Sequence, residues 1–177
     1  MNWYAMFVMT GYEHKLVDFI SRYWCIEGLK PFVPMYETRF RRARQVLVET
    51  KRCVPGYIFL ETEMSGLDLY CRVKPLIAIT EKALKVLRYD QSNLDSSFEI
   101  KQEEQEFLQG VLNNERCIEM SQGFIEGNKV IVTNGPLVGH EGLIRKINRH
   151  KMEAELAIQF MNSIRAVKVG LEIVKKL

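Results

Sequence analysis

Six cations and one acid fall between residues 39 and 52: Arg39, Arg41, Arg42, Arg44, Lys51 and Arg52, with Glu49 among them. Arginine dominates the run, and its guanidinium fork matches phosphate oxygens and stacks on flat bases. Read as a hairpin, the run places alternate side chains on one shared face. The chemistry this offers is polyanion binding; the bland reading is a solvated hairpin tip. A second group follows a glycine-punctuated stretch, with Lys129 at its start and Arg145, Lys146, Arg149 and Lys151 behind it. Arg165, Lys168, Lys175 and Lys176 extend the same basic surface. Adjacent strand residues such as Arg145 and Lys146 point to opposite faces, so the whole group cannot meet one ligand. From this group Lys129, Arg145, Lys146, Arg149, Lys151 and Arg165 are the candidate nucleic-acid contacts. An RNA hairpin held through its phosphates and open loop suits them. Its affinity is expected to fall steeply with salt and to weaken on Arg149→Ala.

Catalytic chemistry finds little support. His14, His140 and His150 are scattered and form no H-E-x-x-H or Cys/His metal pattern. There is no phosphate-cradling G-x-x-x-x-G-K-[ST] loop and no G-x-S-x-G elbow. Glu103, Glu104 and Glu106 read as the solvated face of a helix. The expectation is a protein that is not an enzyme and carries no cofactor or metal.

The elements that must position the cations follow from periodicity. Residues 2–9 are apolar and strand-forming. Thr10-Gly11-Tyr12-Glu13 fits a capping box, Thr10 at the N-cap and Glu13 three positions on, ahead of a helix with Leu16, Ile20 and Tyr23 on one side. That helix is expected to end near Gly28. Strands follow near 32–36, 45–50 and 57–61, the last after a Val54-Pro55-Gly56 turn. A short helix over 66–73 should stop before Lys74-Pro75, a strand is expected at 84–89, and a second long helix at 101–112. Strand, helix, strands, helix implies an antiparallel sheet flanked by helices, an α+β domain over residues 1–112. Polar residues 113–122 read as a linker. From 123 to 177 every segment reads as strand, and Ala154, Leu156, Ile158 and Phe160 alternate with polar or small residues. Five strands are enough for an SH3-like barrel.

Composition bounds the rest. The chain has 177 residues, 47% hydrophobic and 27% charged, with formal net charge +3. From Gly123 onward nine Lys/Arg face five Glu, against 16 and 17 acids in residues 1–122, so the excess lies in the tail. No apolar run nears the roughly 18 residues that span a bilayer, and no signal-peptide pattern opens the chain. Cys25, Cys53, Cys71 and Cys117 form no C-x-x-C pair, so reduced thiols in the cytoplasm are expected.

Three ordered motifs give a resemblance. Trp3-Tyr4 followed by Thr10-Gly11-Tyr12-Glu13, then Val54-Pro55-Gly56-Tyr57-Ile58-Phe59-Leu60, then Gly127 to Gly142 with Asn134-Gly135-Pro136 and Gly139, are similar to the NusG family of transcription elongation factors. The third stretch resembles a KOW motif. The resemblance covers nearly the whole chain. It implies an N-terminal NGN domain that docks on bacterial RNA polymerase, at the clamp helices of its largest subunit, and a C-terminal KOW domain. Carried over by motif, the docking positions are Trp3, Val54, Pro55 and Tyr57, with Tyr70 a looser candidate. The hairpin arginines would reach phosphates or upstream DNA. The family's isoleucine-phenylalanine-glycine-arginine turn is represented here by Ile158-Gln159-Phe160-Met161-Asn162-Ser163, where Phe160 survives and Gly-Arg does not. That departure points to a specialised antitermination paralog, of the LoaP type that recognises an RNA hairpin, acting as a monomer. The competing expectation is a general elongation factor whose KOW domain binds proteins.

Overall fold

The computed structural model describes residues 1–42, 45–89 and 97–176. Arg44 lies outside them, as do the side chains of Arg41 and Arg42. The chain divides into two compact units: Met1–Val33 with Pro55–Gln105, and Pro34–Val54 with Glu106–Leu177.

The first unit is α+β. Its sheet runs β2 (Lys30–Phe32), β5 (Tyr57–Thr62), β1 (Asn2–Val8) and β6 (Ala83–Val86), antiparallel throughout. Helix α1 (Glu13–Phe19) packs on β2 and β5, and α2 (Gly66–Ile79) on β6. Every residue of β5 is buried, as are five of the seven in β1, which explains the unbroken apolar runs over residues 57–60 and 3–8. The expected capping box does not form. Helix α1 starts at Glu13 itself, and its N-cap Tyr12 makes no side-chain bond. The helix ends in a π-helical turn, Ile20–Trp24, closed by Cys25 in the left-handed region rather than by Gly28.

Helix α2 runs through Pro75, against the expectation of a stop before it. Ser65 caps its start by accepting the Asp68 N–H. Proline removes the bond to the carbonyl four residues back, here Cys71, and both residues lie on the exposed side, where water can satisfy that oxygen.

The second unit is rich in strand. Strands β3 (Met35–Arg42) and β4 (Gln45–Arg52) form the hairpin, and β7 (Cys117–Ile118) joins β3 in parallel, giving the order β4-β3-β7. The expected linker 113–122 is therefore a paired strand in part: its backbone supplies hydrogen bonds to the hairpin, including Met35 N–H to Arg116 O at 2.9 Å. A five-stranded sheet has the order β10 (Ile144–Asn148), β11 (Glu153–Phe160), β12 (Ser163–Lys176), β8 (Ser121–Glu126), β9 (Lys129–Asn134). Strand β12 is one strand of 14 residues, antiparallel to β11 in its first half and parallel to β8 in its second. Proximity thus groups the hairpin, expected within residues 1–112, with the strands of 121–176.

Polar bonds and one glycine seat the hairpin on this sheet. Thr38 Oγ1 donates to Lys151 O at 3.0 Å, and Arg39 lies 3.6 Å from Glu172. Backbone Met120 N–H donates to Glu37 Oε2 at 3.2 Å. A Cβ at Gly170 would strike the Glu37 carbonyl oxygen and the Met120 sulfur. Gly170→Ala is therefore expected to lower stability by about 2 kcal/mol, the scale of an overpacked site, and to speed amide exchange along β3. A urea midpoint equal to the parent's would show that the hairpin does not rest on that backbone.

Candidate nucleic-acid interface

In the first unit, two of the motif segments converge on one carboxylate. Glu13 is 0% exposed. Its Oε1 accepts Gly56 N–H and its Oε2 accepts Gly11 N–H, both at 2.8 Å. Gly56 has φ +85°, its carbonyl oxygen accepts Val8 N–H at 2.8 Å, and a Cβ there would press on the Phe7 ring and Thr10 Oγ1 at 3.2 Å. Glu13 is thus the post around which Thr10–Tyr12 and Pro55–Tyr57 are built, which explains why it does not serve as a capping residue. Replacing it by Ala leaves two loop N–H groups without their acceptor and is expected to cost about 3 kcal/mol. Thermal unfolding of Glu13→Ala beside Glu13→Gln checks this, the amide keeping one acceptor oxygen.

The residues expected to dock fare differently. Trp3 has no exposed surface: its ring sits edge-on to Phe32 and Phe59, and its Nε1–H donates to Glu61 Oε2 at 3.0 Å. It builds the core and has no ring surface to offer a partner, since β1 is covered on both faces. Tyr57 is buried against Phe7, with ring centroids 5.2 Å apart; Pro55 is exposed and Val54 half-buried. Tyr70, the looser candidate, has the more open setting. It stacks on Phe98 at 5.1 Å and lines an apolar groove of about 570 Å³ with Leu67, Ile77, Leu84 and Val86. Lys74, Lys85 and Arg88 rim it. Tyr57, Phe7 and Lys85 lie in one cross-strand row, so the Pro-Gly-Tyr strand shares a sheet face with the rim.

In the second unit, strand register sorts the cations. Lys146, Glu155 and Lys168 stand in one row across β10, β11 and β12, and Asn148, Glu153 and Gly170 form the next row on that face. Lys151, on the turn between β10 and β11, completes a cleft of about 140 Å³ lined also by Lys146, Asn148, Glu153, Ala154, Glu155 and Lys168. Its N–H donates to Asn148 Oδ1 at 3.0 Å, fixing the turn. Buried Glu153 accepts from Tyr36 OH and from Lys51 Nζ, each at 3.1 Å on Oε1. Burial, then the Glu153 charge, pushes the Tyr36 hydroxyl far above its ordinary range, so it stays a donor. For Lys51 burial works downward, but Glu153 and Glu49 outweigh it and the pKa rises. Glu153 is thus occupied by the hairpin, and the cleft keeps three ammonium groups around Glu155.

The other predicted contacts are not gathered there. Lys129 opens β9, at the opposite end of the strand order from β10, and faces Glu126 across its own hairpin. Arg145 is exposed and unpaired in the ladder, at the register shift between Ile144 and Lys146, and does not line the cleft. Arg149 is exposed on the cleft's turn. Arg165 pairs with Ile158 in the series of rows that carries Leu156 and Val167, so it is half-buried on the core side. Arg39 engages Glu172. Lys168, appended only as an extension of the surface in the sequence, belongs at its centre. Its parity with Glu155 was the available signal, but it becomes visible only once β11 and β12 are paired.

Among the described residues, no helix is long and apolar enough to cross a membrane. A family model described as "Transcription termination factor nusG" matches residues 1–109. The chain is also 25% identical, over 185 aligned positions covering 99% of it and 98% of the relative, to a Borreliella burgdorferi protein named "Transcription termination/antitermination protein NusG".

Proposed function

Because the chain belongs to the NusG family of transcription termination and antitermination factors, we propose that it is an elongation regulator that holds RNA polymerase with one half and RNA with the other. The apolar groove at Tyr70 and Phe98, with its basic rim, is the seat for the clamp helices of the bacterial enzyme's largest subunit. Exposed apolar surface ringed by charge is how docking energy concentrates. The five-stranded sheet is, in this reading, a KOW-type SH3-like barrel. Residues 1–112 and 123–177 remain its two functional halves, joined by 113–122, with the hairpin working beside the second. An RNA hairpin bound there tethers the factor to selected transcripts, raising its effective concentration at the polymerase. The outcome is antitermination at particular operons, as in the LoaP branch, by a cytoplasmic monomer.

The observation that carries the RNA half is the cleft itself, with Lys146, Lys151 and Lys168 set around one free acid. A second reading, a general factor whose KOW domain binds protein, is favoured by Ile164, 72% exposed beside the Met161-Asn162 turn, with Phe160 buried beneath. The test uses the full chain: co-elution with bacterial RNA polymerase, and an electrophoretic shift with leader RNA hairpins at low and high salt. Salt-sensitive RNA binding together with co-elution is expected. Co-elution with no RNA shift at low salt would leave the protein-binding reading standing.

A further inference from the structure

The lysine cleft continues onto the hairpin. In register, Tyr36 faces Lys51, Thr38 faces Glu49 and Phe40 faces Leu47. Directly opposed residues share a face, and steps of two keep to it, so these three pairs line one side of the hairpin. That side meets the cleft at two points already described, Tyr36 and Lys51 on Glu153, and Thr38 on the Lys151 carbonyl. Farther out, about 14 Å along the strand from the Lys51 row, Phe40 is 38% and Leu47 37% exposed. The other side of the hairpin tip exposes Val46 and Val48, with no ring among them.

An ammonium has three donors. Glu153 takes one from Lys51 at 3.1 Å and Glu49 another at 3.5 Å, which leaves one for a phosphate oxygen at the cleft's edge. Among the described side chains Lys51 is the one cation on this side, with Thr38 and Glu49 in the row between it and Phe40. A cation followed by an exposed aromatic ring holds a single strand by a phosphate on the one and a base on the other, whatever its sequence. Resting on the RNA reading of the cleft, we propose that single-stranded RNA leaving the cleft follows this side of the hairpin, with a phosphate on Lys51 and a base stacked on Phe40.

Two probes test this on the full chain: one stem-loop RNA with blunt ends, and the same stem-loop with oligouridine tails at both ends. Phe40→Ala is expected to weaken the tailed probe about tenfold, the scale of one lost stack, and to leave the blunt probe unchanged. Its salt dependence should match the parent's, because a ring releases no counterions, and Phe40→Trp should restore affinity. Lys51→Gln is expected to flatten the tailed probe's log–log salt slope by about 0.7, and Lys51→Arg to recover it. Phe40 is exposed, so an unchanged urea midpoint confirms the fold of its variants. Equal affinity of parent and Phe40→Ala for the tailed probe overturns the inference. If that occurs while cleft-lysine variants still weaken both probes, the hairpin path alone is lost. If the parent binds neither probe, the RNA reading of the cleft falls as well.

Discussion

Trp3→Ala is expected to destabilise the protein by about 4 kcal/mol, within the range for truncating a buried aromatic side chain. The side chain is enclosed by Phe32 and Phe59, and Glu61 takes its indole N–H. Truncation opens a cavity between β1, β5 and β2 and removes a donor from a carboxylate only 7% exposed, whose ammonium partner Lys30 is 3.9 Å away. Polymerase binding should then fall only as far as the folded fraction falls. Urea unfolding gives the stability, and co-elution at a temperature where the variant is still folded gives the docking. Lost co-elution from a fully folded Trp3→Ala would mean that the ring reaches the partner after all. By contrast, Tyr70→Ala should keep most of its stability and lose docking, since its half-buried ring lines the groove.

The contrast between Trp3 and Tyr70 shows what was legible in the sequence. The strand β1, the Pro-Gly-Tyr turn, the hairpin and the alternation in β11 follow from local pattern, and all are present. What failed were choices decided by distant partners. Thr10 and Glu13 have the spacing of a capping box, but Gly56, more than forty positions away, claims the carboxylate. Pro75 has the look of a helix stop, yet it falls on a face where its missing bond costs little. Residues 113–122 are polar enough for a tether, and β7 nevertheless completes the hairpin's sheet. For the site the difficulty was parity. Charge alone put Lys129 and Arg165 beside Lys146 and Lys151; pairing separates them and brings in Lys168 and, through Glu153, Lys51. Trp3 and Tyr70 are both aromatic residues in or near expected elements, and only the covering of both faces of β1 tells core from surface.

Replacing Lys146, Lys151 and Lys168 together by Gln is expected to lower RNA affinity on the order of a hundredfold near 0.1 M salt. Each phosphate contact contributes a log–log salt slope of about 0.7 to 0.9, so losing three flattens the slope by roughly two to three and removes the matching factor from the binding constant. Stability should move by less than about 0.5 kcal/mol, because all three side chains are exposed. Glu155→Gln reverses the sign. It stands between Lys146 and Lys168 in the same row, and neutralising it removes the acid that repels an incoming phosphate, so affinity should rise about twofold to fivefold at low salt and converge on the parent's as salt screens the cleft. Lys129→Gln, at the far end of the strand order, serves as the reference and should change little. Fluorescence anisotropy of a labelled stem-loop across a salt series measures all three. A triple variant with the parent's slope, or a Glu155→Gln that binds more weakly, would place the RNA on some other face of the sheet and leave the lysine row as a solvated surface.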